Sequence, residues 1–232
     1  MLGVLGGMGP LATVDFLDKL VRQTLANCDQ DHMPFIVASL PQIPDRSDAL
    51  LSGGASPLPA MLDGIDRLTA AGADLIAIAC NTAHAWHQEL SAHAGVPVLH
   101  IVEAVLDDLR KRGLFNSTVG LLATTGTIRA GIYQTTLRQT GFECRVPADG
   151  DRVMTGIRAV KAGDLALARD LFASAVHDLL ADGCEAVILG CTEIPIALVD
   201  MPDLAERTVD ASAALARAAL QQGGARVQRT PS

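Results

Sequence analysis

Aromatic side chains are nearly absent from this sequence: one Trp, one Tyr and five Phe among 232 residues. A core must therefore be built from Ala, Leu, Val and Ile, the composition of helices packed on parallel strands that read as continuous aliphatic runs. Basic clusters are missing too. The formal net charge is −8, and without a basic stripe no surface suits a phosphate backbone, which argues against nucleic acid as a partner. No aliphatic run reaches ten residues, far short of the ~20 needed for a membrane-spanning helix, so no membrane association is expected. The five cysteines form no CxxC pair, and an odd set of this kind is not a disulfide framework. Thiols that persist as thiols fit a reducing cytoplasm. The opening Met1–Gly7 carries neither a basic leader nor an apolar stretch of signal-peptide length, which agrees with that location.

What is present is a rhythm of short aliphatic runs and amphipathic stretches. Leu2–Leu5, Phe35–Leu40, Leu75–Ala79, Val96–Leu99, Val119–Ala123 and Ala186–Leu189 read as strands. Leu11–Leu25, Leu58–Ala71, Ile101–Arg112, Leu165–Leu180 and Ala211–Gln221 read as helices. Strand and helix in alternation predict an α/β fold with parallel sheets.

The chain also resembles itself. The segment starting Gly3-Val4-Leu5-Gly6 is matched by Gly120-Leu121-Leu122-Ala123 at an offset of 117 residues, and the strand ending in Cys80-Asn81-Thr82 by the one ending in Cys191-Thr192-Glu193 at an offset of 111. Same order and nearly equal offsets indicate tandem duplication of one α/β domain. We expect residues 1–98, joined by a C-terminal helix in 208–232, to form the first domain, and residues 99–207 the second. The linker falls near Val96–His100, and the Gly-, Gln- and Arg-rich tail from Gln221 to Ser232 is expected to fray.

Cys80 and Cys191 each follow an aliphatic strand and precede a polar pair and a helix-like stretch. Ligands of open parallel sheets bind beyond the carboxyl ends of strands. There, helix N-terminal amides favour a thiolate and attract a carboxylate. Two copies facing each other present one thiol from each side of a cleft. Inverting a carbon centre needs that arrangement: a base on one face, an acid on the other, and groups that give or take a proton near neutrality. Cys28, Cys144 and Cys184 lack the repeated position and read as small buried hydrophobes.

Ile78-Ala79-Cys80-Asn81-Thr82-Ala83-His84 and Leu189-Gly190-Cys191-Thr192-Glu193-Ile194-Pro195 resemble the two signature segments of the aspartate/glutamate racemase superfamily, and the resemblance runs from Leu2 to about Val209. It implies a pyridoxal-phosphate-independent isomerase with two similar domains, the active site between them, no cofactor, one catalytic cysteine on each side and a homodimeric state. The opening Gly6-Gly7-Met8-Gly9-Pro10 and the Glu193 after Thr192 are closer to the aspartate racemase branch, because glutamate racemases open with Asp-Ser-Gly and follow the second cysteine with Thr-His. The implied substrate is aspartate; glutamate, a broader amino-acid set, or the chemistry of hydantoin racemases and maleate cis-trans isomerases are the alternatives within the superfamily.

The resemblance also distributes binding roles. Asn81, Thr82 and Thr192 are placed at the α-carboxylate and amino group, and Met8 and Glu193 on the substrate side. Ile43-Pro44-Asp45-Arg46 resembles a substrate-side loop in which Arg46 grips the distal carboxylate by a bidentate bond, and Val160-Lys161-Ala162-Gly163 resembles the segment whose lysine completes that clamp. The chain departs from the family at Ile157-Arg158, where Ile-Tyr is common. Thr124 and Thr127 resemble another binding loop, although Thr caps at a strand-to-helix turn explain them equally well. Tyr133 reads as packing. His84 and His87 sit one turn apart but lack the further ligands a metal needs.

Two rival readings lie outside the superfamily's chemistry: a non-catalytic binding protein using the same cleft, and a dinucleotide-binding protein. Gly7-Met8-Gly9-Pro10-Leu11-Ala12 satisfies the G-x-G-x-x-A dinucleotide fingerprint, but the second strand ends Leu40-Pro41-Gln42 with no acid to hold a ribose.

Overall fold

The computed structural model of the chain describes residues 1–228. Its first half runs β1 (Leu2–Gly6), α1 (Pro10–Gln23), β2 (Phe35–Ser39), α2 (Arg46–Leu51), α3 (Leu58–Ala70), β3 (Leu75–Ile78), α4 (His87–Ala94) and α5 (Ile101–Lys111). The second runs β4 (Thr118–Ala123), α6 (Thr125–Ala130), α7 (Ile132–Gln139), β5 (Glu143–Arg145), α8 (Gly150–Ala162), α9 (Leu165–Ala181), β6 (Ala186–Gly190), α10 (Ile194–Leu198), α11 (Pro202–Ala205), β7 (Thr208–Asp210) and α12 (Ala211–Gln222). No helix among the described residues is long and apolar enough to cross a membrane.

Two parallel sheets result, ordered β2-β1-β3 and β5-β4-β6-β7. The glycine-rich strand of each copy is central, and the cysteine-bearing strand lies beside it: Leu5 pairs with Ile78 in one sheet and Ala123 with Gly190 in the other. The duplication read from the sequence is thus a duplication of topology, and the fold is two similar α/β units. Val96–Leu99 is not a full strand. It forms a single bridge, Ile76 with Val98, where β7 forms a short ladder with β6. Pro97 accepts from the Ile76 amide at 2.9 Å but has no N–H to return, which shortens the ladder.

The helices after these fourth strands cross over. α12 packs on α1 and on α5, so the C-terminal helix lies against the first half although β7 hydrogen-bonds to the second sheet. Asp210 caps α12 by accepting from Ala213 N at 3.0 Å, and His100 caps α5 at Val102 N; each satisfies a donor left open by the helix start. One core joins the halves, with Phe16, Leu20, Val105 and Leu109 meeting Val119, Leu121, Tyr133, Leu137 and Leu215. Separate cores lie outside it, around Phe172 and Val176 in the second half and around Met61 and Ile65 in the first.

The tail is better held than its composition suggests. Thr24 bridges Val227, and the amide of Gln228 donates to Gln23 at 2.8 Å, so backbone pairing rather than side-chain character fixes it. Residues 229–232 lie outside the described residues. Cys28 also departs from expectation, for it is exposed just before a short 3-10 turn at Asp29–Asp31.

Candidate active site

β3 and β6 end on the same side of their sheets and deliver Cys80 and Cys191, each 5% exposed, to one small cavity between the halves. The cavity holds about 30 Å³, room for a couple of waters. Its wall includes Met8, Arg46, Asn81, Thr82, Thr124, Lys161, Thr192 and Glu193 with the two thiols. Every residue singled out from the sequence is therefore at the site except Thr127, which is fully buried behind the wall.

Around Cys191 the groups are acidic. Its thiol donates to Glu193 Oε2 at 3.0 Å, and the Thr192 hydroxyl donates to the same oxygen at 3.2 Å. Lys161 Nζ stands 3.9 Å from Glu193 Oε1. Burial pushes the Cys191 thiol well above its ordinary range, and the Glu193 carboxylate pushes it further in the same direction. This reverses the thiolate expected from helix N-terminal amides. The helix here, α10, is only five residues long, and a neighbouring carboxylate in a dry site outweighs it.

Around Cys80 the groups are neutral. The Thr82 hydroxyl lies 3.0 Å from that of Thr124 and 2.8 Å from that of Thr127, and the last two are 3.0 Å apart. Thr124 also caps α6, accepting from Thr127 N at 3.1 Å. Thr124 is thus both a cap and a wall residue: the cap fixes the hydroxyl that reaches across to Thr82. Beneath Cys80, His84 Nδ1 meets the Cys80 carbonyl oxygen at 2.9 Å, and the rings of His84, His87 and His100 cluster, with His87 and His100 4.4 Å apart. Burial depresses His84 to about 3 and His100 to about 4, so these two rings are neutral at physiological pH.

Arg46 closes one end. Nη1 donates to the carbonyls of Ile43 and Pro44 at 3.2 and 3.1 Å, and Nη2 to that of Met8 at 3.1 Å. Of the five guanidinium hydrogens, these bonds leave Nε–H and one on Nη2; the buried Nε has no partner. Ser47 beside it sits directly against Gly126 of α6. A Cβ on Gly126 would come within 2.8 Å of the Ser47 Cα, so that glycine lets the loop of one half seat on the helix of the other.

The glycine fingerprint does not form a phosphate cradle. The Gly7 amide is already bonded to the Thr13 hydroxyl at 2.8 Å. At φ +89°, a Cβ on Gly7 would lie 2.3 Å from Leu40 N. Close packing of the loop on the end of β2 accounts for the glycine.

The profile of the Asp/Glu/Hydantoin racemase family matches residues 5–219. The chain belongs to this family. An aspartate racemase from Picrophilus torridus superposes with a TM-score of 0.88 at 35% identity, covering 98% of this chain and 95% of that one. A broad-specificity amino-acid racemase, RacX, from Bacillus subtilis is 29% identical over 222 residues, covering 94% of this chain and 95% of the relative. A glutamate racemase from Pseudomonas entomophila is 34% identical over 156 residues, which are 63% of this chain and 56% of that protein. The chain is thus an amino-acid racemase of this family, an isomerase.

Three wall residues were not singled out from the sequence: Asp45, Ser47 and Ile157. The first two flank Arg46, and their neighbourhood was the available signal. Ile157 stands next to the family departure at Arg158. Arg158 itself turns outward and bonds the Thr155 hydroxyl at 3.0 Å, so the departure lies beside the cavity rather than in it. Tyr133 was also missed: its hydroxyl donates to Asn81 Oδ1 at 2.5 Å.

Proposed function

We propose that this chain interconverts L- and D-aspartate without an added cofactor, by exchanging the α-proton between Cys80 on one face and Cys191 on the other. The observation that carries the reading is the delivery of two buried thiols, from repeat-related strand ends, to one cavity walled by both halves. One cysteine, as thiolate, removes the α-proton; the other, as thiol, protonates the opposite face, and the roles exchange with substrate hand. Cys191 becomes a base by passing its proton to Glu193, to which it already donates. Asn81, Thr82 and Thr192 hold the α-carboxylate, where negative charge builds as the proton leaves. The two uncommitted Arg46 donors and Lys161 take the distal carboxylate. The likeness to an aspartate racemase over nearly the whole chain supports aspartate as substrate.

A broader set of amino acids is the second reading. It is favoured by a cleft of about 620 Å³ that adjoins the cavity past Met8 and Arg46 and is walled by Pro10, Leu11, Pro41, Ile43 and Val160, an apolar path for longer side chains. The proposed working form is a cytoplasmic homodimer, with the exposed apolar line Leu11, Val14, Val21 and Leu25 available for burial.

The test is circular dichroism of L- and D-aspartate, glutamate, their amides and long apolar amino acids with wild type, Cys80→Ser and Cys191→Ser. Loss of the aspartate signal with wild type, and its persistence with both variants, are expected. Full activity in either variant would falsify the two-cysteine mechanism, and faster turnover of long apolar substrates would replace aspartate by the broader set.

A further inference from the structure

Tyr133 is the chain's only tyrosine, and it is fully buried in the core that joins the halves. Packing alone does not account for its hydroxyl. That hydroxyl crosses from α7 in the second half to Asn81 in the first, donating to Oδ1 at 2.5 Å. Asn81 Nδ2 is buried and without a protein partner, while Asn81 lines the cavity. With the amide turned the other way, the phenol hydrogen would face an NH₂ group and have no acceptor. The bond therefore fixes which end of the amide is free.

The duplication supplies an internal control. The offset that relates Gly3 to Gly120 relates Phe16 to Tyr133, and the offset that relates Cys80 to Cys191 relates Asn81 to Thr192. Phe16 in α1 and Tyr133 in α7 are both fully buried, each followed four residues later by a buried leucine, Leu20 or Leu137. On one side the pair is Tyr and Asn, joined by a hydrogen bond. On the other it is Phe and Thr, with no hydroxyl on the ring and no amide to orient. The hydroxyl appears where an amide needs it.

We infer that Tyr133 is a positioning residue, holding the Asn81 amide with its NH₂ directed at the cavity as a ready donor to the substrate's α-carboxylate. The substrate part of this inference rests on the function proposed above. The α-carboxylate is present in the ground state, so losing its donor falls mainly on KM.

Two measurements on the full chain test it. The first is the Raman Fermi doublet of the phenol, which reports whether a tyrosine hydroxyl donates; with one tyrosine the signal has a single source, and Tyr133→Phe supplies the blank. A donor signature in wild type that disappears in Asn81→Ala is expected. An unchanged signature in Asn81→Ala overturns the lock. The second is a kinetic cycle of Tyr133→Phe, Asn81→Ala and the double variant. Tyr133→Phe should raise KM about tenfold with kcat within about twofold, the size of one lost hydrogen bond to a charged group. The double variant should be no worse than Asn81→Ala alone, because the phenol acts only through that amide. Wild-type kinetics in Tyr133→Phe, or additive losses in the double variant, overturn the inference. If wild type turns over no acidic amino acid, the proposed function fails, and the Raman comparison still decides whether the lock exists.

Discussion

The two strand ends that bring thiols to the cavity are copies in backbone and opposites in chemistry. At Cys191 the residue two places on is Glu193, whose carboxylate accepts from the thiol; at Cys80 the matching residue is Thr82, whose hydroxyl joins Thr124 and Thr127. Behind Cys80 lies a cluster of histidines, and at the position matching His84 the second half has Pro195. Duplication therefore fixed where a thiol stands, while later divergence set what surrounds it. A racemase tolerates that difference because its equilibrium constant is one. The two directions must have equal kcat/KM, however unlike the acid and base are, but kcat and KM separately need not match.

The largest test of this comparison removes one thiol at a time. Cys80→Ala and Cys191→Ala should each lower racemisation by about a thousandfold or more, the scale of losing a proton-transfer group. Each should still exchange the α-hydrogen of one enantiomer with heavy water, and the two variants should spare opposite hands. Proton NMR of L- and D-aspartate reads this directly; exchange of the same hand by both variants breaks the assignment of one face to each cysteine.

Glu193→Gln touches only the acidic side. Racemisation should fall about ten- to a hundredfold at neutral pH, equally in kcat/KM for both hands. With the carboxylate gone, one cause of the raised Cys191 pKa is removed, so thiolate absorbance near 240 nm should appear at lower pH than in wild type. An unchanged thiol titration would show that Glu193 does not govern Cys191.

Gly126→Val interferes with the seating of one half on the other. The added side chain meets Ser47, and overpacking of this kind costs about 1–3 kcal/mol. KM should rise several-fold with a smaller change in kcat, because the Arg46 loop is displaced while the thiols stay on their strands. Equal loss of both parameters would place the loop in the chemical step.

The smallest effect concerns the histidines behind Cys80. His84 and His100 are held below their ordinary value of 6.5, to about 3 and about 4, first by burial. The unfolded chain binds protons at a higher pH than the folded one. Their stabilising contribution is therefore complete above about pH 6.5 and is lost as pH falls toward 4. Thermal melts between pH 7 and 4.5 should show this decline, with a flatter slope in His100→Asn.

Much of the architecture is legible in the sequence. The central strands are aliphatic runs buried on both faces, such as Leu75–Ile78 and Ala186–Gly190, and a period-free apolar run between glycines is a strong local signal. The edges were not legible. β5 is Glu143–Arg145, with charged ends and one half-buried cysteine, and nothing in three such residues announces a strand. α8 turns Gly156, rather than a large apolar residue, toward Phe172, which blurs its helical period. Cys28 had the composition of a core residue but stands exposed on a connection.

The sequence by itself determined the α/β class, the duplication, and the repeat-related positions of Cys80 and Cys191 at two strand ends, because strand pattern and repeat spacing are properties of the chain read along its length. Tertiary structure alone decided which partners hold the polar side chains that follow Cys80. Tyr133 meets Asn81 across 52 positions, and Thr82 meets Thr127 across 45. Such partners are chosen by how two halves pack, and hydrogen bonds made across a buried junction depend on distances that no local pattern encodes.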